Sequence, residues 1–216
     1  MNRYDAERRR VALTLAFLAG QVDATGFVVA GGYFTSFMSG NTTRLGVDVS
    51  TGLTLGLVPL MIIGAFVSGV ITGALIARRW PVSRQTVLLT LTTAFIVGAA
   101  LALGSGLHLV FLCAAAFAMG SANNVFSNSN GVTVGVTYMT GALVRFGQGL
   151  AARLAGGDAG PMRGYGALWC ALAIGAFCGA AVAHESTQWA AISIAAVSVL
   201  VCVHALLTGV DHDQST

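Results

Sequence analysis

Met38-Ser39-Gly40-Asn41-Thr42-Thr43-Arg44-Leu45-Gly46 and Met139-Thr140-Gly141-Ala142-Leu143-Val144-Arg145-Phe146-Gly147 are two versions of one segment. Methionine, both glycines and the arginine are identical, and Ser/Thr and Leu/Phe are conservative pairs. Carried back without gaps, Phe37 meets Tyr138, Ser36 meets Thr137 and Asp23 meets Asn124. Further on, Ile63-Gly64-Ala65-Phe66 matches Ile174-Gly175-Ala176-Phe177. Short identities come cheaply in a chain rich in Gly, Ala and Leu. Two matches in the same order, at equivalent places among the apolar segments, carry the reading of an internal repeat, the mark of many transporter folds.

The surroundings of these segments name the solvent. Hydrophobic residues make up 56% of the 216 residues and charged residues 9%, against roughly 25% charged in soluble domains. Such a chain cannot dress itself in a charged shell, and lipid tolerates that surface. Apolar spans cover approximately 11–32, 54–77, 85–104, 107–127, 164–183 and 188–208, each near the ~20 residues that cross a bilayer. The apolar stretch after the basic N-terminus outruns a signal-peptide core and reads as an uncleaved first helix. The predicted architecture is one all-α transmembrane domain over 1–216, with six helices in two three-helix repeats, about 11–104 and about 107–208. An odd number of spans per repeat makes the second copy enter from the opposite side, so the repeats are inverted.

All 11 cationic side chains are arginines. Those around 3–10, 78–84 and 145–163 fall on one side of a six-span chain and only Arg44 on the other. The positive-inside rule makes that side the cytoplasm, which places both termini there in a bacterial inner membrane. Trp80, Tyr165 and Trp189 fall at span ends, where interfacial aromatics belong. The net charge of +3 is no nucleic-acid footprint, because the arginines are not gathered on one face. Cys113, Cys170, Cys178 and Cys202 lie in apolar runs without metal-ligand or disulfide spacing and read as small buried residues. Asp211-His212-Asp213 reads as a solvated tail. Neither a metal, a cofactor nor a catalytic constellation is indicated, so the reading is not an enzyme.

Polar residues inside the spans carry the functional expectations. Asp23 is the acidic residue well inside an apolar span, with Gln21 nearby; it is either a solute or proton-coupling contact or a hydrogen-bonded side chain fixing helix packing. Asn123 and Asn124, in the run 121–130 with four asparagines and three serines, line a polar cavity or form a wetted helix end. Gly131–Tyr138 alternates like an extended segment, with Tyr33–Phe37 as a candidate partner. Ser39 and Thr140 are then N-caps of half-helices after the first and fourth spans, carrying Gly40, Asn41, Thr42 and Gly141 close to a solute. Arg44 and Arg145 stand toward opposite mouths as gating or anion-attracting groups, unless they are interfacial anchors. Gly64-xxx-Ser68, Gly69-xxx-Gly73 and Gly175-xxx-Gly179 are packing motifs for the second and fifth spans or a homodimer contact.

Gly20-Gln21-Val22-Asp23-Ala24-Thr25-Gly26-Phe27 followed by Phe34-Thr35-Ser36-Phe37-Met38-Ser39-Gly40-Asn41-Thr42-Thr43 resembles the YoaK-like family of small bacterial membrane proteins, with its "VDA.GF" and "F.SFMTGN" segments. Ser39 stands where threonine is common. The resemblance implies a six-helix inner-membrane protein and supplies no substrate. The expected function is a secondary transporter of a small polar or anionic solute, with a channel or a non-transporting membrane assembly partner as alternatives. The arginine pattern predicts that a reporter fused after Thr216 is active only in the cytoplasm; a periplasmic signal would remove both the six-span count and the inverted repeat.

Overall fold

The structure is a computed structural model that describes residues 3–128, 131–132, 139–158 and 162–208. Among the described residues, eight helices follow one another: α1 (Arg3–Val29), α2 (Met38–Thr51), α3 (Leu57–Arg79), α4 (Arg84–Gly104), α5 (His108–Ala122), α6 (Met139–Leu154), α7 (Met162–Glu185) and α8 (Thr187–Thr208). Among the described residues, five helices are long and apolar enough to cross a membrane: α1 from Glu7, α3, α4, α7 and α8 to Leu207. The expected span over 107–127 is the apolar helix α5, which stops at Ala122 after 15 residues, or about 22 Å at 1.5 Å per residue. That is short of a ~30 Å hydrocarbon core. Its polar end is the cause. The Asn123 side chain donates back to the Met119 carbonyl at 2.9 Å, and the chain turns into a two-residue antiparallel pair, Ser127–Asn128 with Gly131–Val132.

The breaks between helices follow local chemistry. Pro81 follows the α3 end at Trp80 and cannot continue a helix. Gly106 turns α4 into α5 at φ +75°, a left-handed backbone that glycine adopts without a Cβ penalty. Gly31 and Gly32 do the same after α1, at φ +81° and +83°.

Packing fixes the helix directions. A Cβ on Gly175 would strike the Phe17 carbonyl and one on Gly179 the Gln21 carbonyl. Both numbers rise together, so α1 and α7 run parallel. Gly69 meets Phe117 and Gly73 meets Ser121 in the same manner, so α3 and α5 are also parallel. The Thr93 hydroxyl donates to the Ser198 carbonyl at 3.2 Å, and Gln188 donates to the Gly104 carbonyl at 2.7 Å; α4 and α8 are therefore antiparallel. With the tight turns α3–α4, α4–α5 and α7–α8, helices α1, α4 and α7 point one way and α3, α5 and α8 the other. The arginines at the start of α1, the end of α3 and the starts of α4 and α7 consequently share one end of the bundle. The core lies where α1, α4, α5 and α8 meet, around Leu18, Val22, Ile96, Phe111, Ala115, Met119 and Ile194.

These contacts revise the expected helix pairing. The principal partners of α3 and α7 are α5 and α1, not each other. Gly64, assigned to a packing motif, has open space at its Cβ position. The close-packed pairs are Gly69/Gly73 and Gly175/Gly179, so Gly64, matched to Gly175 in sequence, does not share its packing. Gly20 and Gly120 complete the correspondence, each pressed on a carbonyl of its partner helix, Leu172 and Phe66. Counted from these two glycines, Asp23 and Asn123 each stand three residues further on, one residue off the ungapped alignment. Small residues let backbones approach closely and gain dispersion and Cα–H···O contacts. Replacing Gly175 or Gly69 by alanine is expected to lower stability by about 1–3 kcal/mol through overpacking, seen as a lower melting temperature in a fixed detergent, whereas Gly64→Ala is expected to be neutral.

Candidate functional site

The two motif segments of the first half bind each other. After Val29 the chain reverses at Gly31 and Gly32 and comes back along α1, until Thr35 and Ser36 lie beside Asp23. Asp23 Oδ1 accepts from the Thr35 N–H (2.7 Å), the Thr35 hydroxyl (2.8 Å) and the Ser36 N–H (2.6 Å), and Oδ2 accepts from the Ser36 hydroxyl (2.7 Å). Asp23 is six residues before the end of α1, or about 9 Å along the axis. The start of α2 is thus pulled roughly that far back from the helix end. Irregular backbone at such a depth needs partners inside the protein, and Asp23 supplies them.

The remaining connector is tied residue by residue. Asn41 takes the Phe34 N–H at 3.0 Å and donates to the Phe34 carbonyl at 2.7 Å. Tyr33 donates to Asp48 at 2.7 Å. Arg44 donates to the Gly31 carbonyl at 3.2 Å, lies 3.7 Å from Asp48 and covers the Tyr33 ring. Gly26 leaves room for the Tyr33 carbonyl, 3.2 Å from where a Cβ would be, and a Cβ on Gly40 would collide with the Phe34 and Phe37 rings.

These contacts correct two expectations. The residue before α2 is Phe37, without a side-chain cap bond, and Ser39 is the second residue of the helix. Thr140 is likewise the second residue of α6. Neither is an N-cap; the re-entrant turn is held by Asp23 and Asn41 instead. Tyr33–Phe37 is an irregular bend without ladder pairing among the described residues. Its expected partner lies mostly outside the described residues, at 133–138, as does the tail at 211–213.

A cavity of about 1210 Å³ opens between α1, α2, α3, α6 and α7. Of the candidate residues, Asp23, Ser39, Asn123, Thr140, Gly141 and Arg145 line it. Others lie elsewhere. Gln21 is buried and donates to Ser193 of α8 at 3.0 Å. Asn124 donates to the Val70 carbonyl at 3.2 Å, and Thr42 donates to the Met38 carbonyl. Gly40, Asn41 and Arg44 belong to the connector clamp. Arg145 donates to the Tyr165 hydroxyl at 2.8 Å and lies over its ring; among the described residues it faces no carboxylate. The sequence reading missed the aromatic wall of Phe27, Phe34, Phe37 and Trp169. The clustering of Phe27, Phe34 and Phe37 just after Asp23 is the available signal; Trp169, in α7, has none. No group of three or more metal-ligating side chains occurs among the described residues.

Helices of this length and apolarity, with an intramembrane carboxylate tied to a re-entrant turn, define a multi-pass membrane protein. The family model described as "Protein of unknown function (DUF1275)" matches residues 11–205, and the chain belongs to that family. It is similar to the UPF0700 transmembrane protein RA0705 of Rhizobium meliloti (strain 1021), at 38% identity over 152 residues, which cover 67% of this chain and 64% of that relative. The match thus spans somewhat less than two thirds of the relative's length. No solved structure matches the chain.

Asp23→Ala removes every acceptor and leaves the Thr35 and Ser36 N–H groups unpaired, at about 1–3 kcal/mol each. Asp23→Asn keeps one carbonyl oxygen for the Oδ1 bonds, and the Ser36 hydroxyl can rotate. The expected order of melting temperature is wild type, then Asp23→Asn, then Asp23→Ala clearly lowest. An Asp23→Ala variant melting like wild type would contradict the clamp.

Proposed function

We propose that the protein is a secondary transporter that moves a small polar or anionic solute by alternating access and does no covalent chemistry on it. The observation that carries this reading is the meeting of Ser39 and Thr140, matched positions of the two repeat segments, on one cavity. Both stand in the first turns of short helices, whose leading N–H groups lack intrahelical partners and carry partial positive charge. Asp23 and Asn123, counterparts in the glycine register, line the same cavity.

The helix directions support an inverted repeat. With α1–α4 matched to α5–α8, α1 runs opposite to α5, α3 to α7 and α4 to α8. The pairing of α1 with α7 has its counterpart in α5 with α3, and that of α2 with α3 in α6 with α7. Inverted repeats around a central site suit alternating access, because exchanging the states of the halves exchanges the open side. The arginine-rich end is taken as cytoplasmic, in a bacterial inner membrane, and the kinship with YoaK-like proteins forms part of the same proposal.

Counterflow in proteoliposomes is the test. Saturable exchange of labelled solute, lost in Thr140→Val, is expected. A non-saturating conductance would replace the transporter by a channel, and absence of flux with a stoichiometric copurifying protein would replace it by an assembly partner.

A further inference from the structure

We propose that the cavity takes a monocarboxylate with an aromatic or bulky aliphatic body; this rests on the transport reading of the same site and names its solute class. Size comes first. About 1210 Å³ is above the usual 300–1,000 Å³ of organic-ligand pockets and far beyond what one small inorganic anion fills. The walls agree. Phe27 and Phe34 lie with ring centroids 5.2 Å apart, and Phe37 meets Phe34 edge-on at 5.2 Å. Trp169, Leu172 and Phe66 face the same space. A hydrated inorganic ion would lose water against such walls without replacement, whereas an apolar body gains from leaving water.

Charge selects the head group. Asp23 and Arg145 are the lining residues with an acidic and a basic side chain. Both Asp23 oxygens already accept hydrogen bonds from Thr35 and Ser36, so this carboxylate holds the chain rather than a cation. Arg145 uses one nitrogen on Tyr165 and has further N–H donors in its planar fork, which matches a carboxylate. One guanidinium offsets one negative charge. The Ser39 and Thr140 hydroxyls add neutral donors beside it. A phospholipid joins an anionic head to apolar chains in the same way; the proposal commits to a water-soluble carboxylate, and the lipid becomes an outcome of the test.

Trp169 is the natural reporter, because Trp80 and Trp189, the other two of three tryptophans, lie outside the cavity. Trp80→Phe/Trp189→Phe protein in phosphatidylcholine vesicles is titrated with phenylacetate, acetate and phenylacetamide, following Trp169 emission. Saturable binding of phenylacetate is expected, with acetate and phenylacetamide at least about tenfold weaker. Arg145→Gln is expected to weaken phenylacetate by about tenfold or more; the comparison of the three probes holds even where that variant does not fold. Equal binding of phenylacetate and its neutral amide, equal binding of acetate, or no phenylacetate binding overturns the inference. So does quenching of Trp169 by brominated-acyl phospholipid that phenylacetate does not relieve. Phenylacetate binding without counterflow would remove the transporter and leave the ligand class standing. Saturable counterflow of an inorganic anion without phenylacetate binding would do the reverse.

Discussion

Four hydrogen bonds converge on the Asp23 carboxyl group, and the arrangement of the first half depends on them. A chain that leaves a membrane helix and turns back carries backbone N–H groups to a depth where water is scarce. Each unpaired group there costs several kcal/mol. Asp23 takes two such N–H groups and two hydroxyls. Asn41 then satisfies both backbone groups of Phe34, and α2 starts inside the bundle. Without the carboxyl group two backbone N–H groups of the buried turn would lose their acceptor.

Past α5 the matched positions carry other residues. Asn123, three residues after Gly120 as Asp23 is after Gly20, bonds its side chain back onto its own helix, and Ala142 stands where the sequence match places Asn41. The first half thus spends its carboxylate on holding backbone, while the second half leaves Arg145 on the cavity with only Tyr165 as its partner among the described residues. The two glycine-lined helix pairs are alike in packing, and the residues beside them differ in charge. The net polarity of the cavity follows from that difference.

Much of the fold was legible because apolar length and arginine placement answer to bilayer thickness and charge alone. The segments at Met38 and Met139 marked the breaks, and Asp23 stood out as a carboxylate in an apolar run. What stayed hidden depended on register. A glycine pressed against a carbonyl looks in sequence like any other glycine, so Gly64 appeared equivalent to Gly69 until the neighbouring helix was in place. Ser39 looked like a cap because Ser is a good one; the actual support came from residues 16 positions earlier and two later. Gln21 and Asn124 were polar residues at the right depth, but each faces a neighbouring helix, which polarity does not reveal.

The glycine contacts have a mechanical side. At Gly20, Gly175 and Gly179 between α1 and α7, and at Gly69 and Gly120 between α3 and α5, backbone rests on backbone with no side chain between. Sliding within a pair would drive carbonyls into Cα atoms, so each pair behaves as a single stiff strut. Every strut joins one helix from each half of the sequence. The closest backbone seams of the fold therefore cross between the two halves of the sequence, and the cavity is lined from both of them.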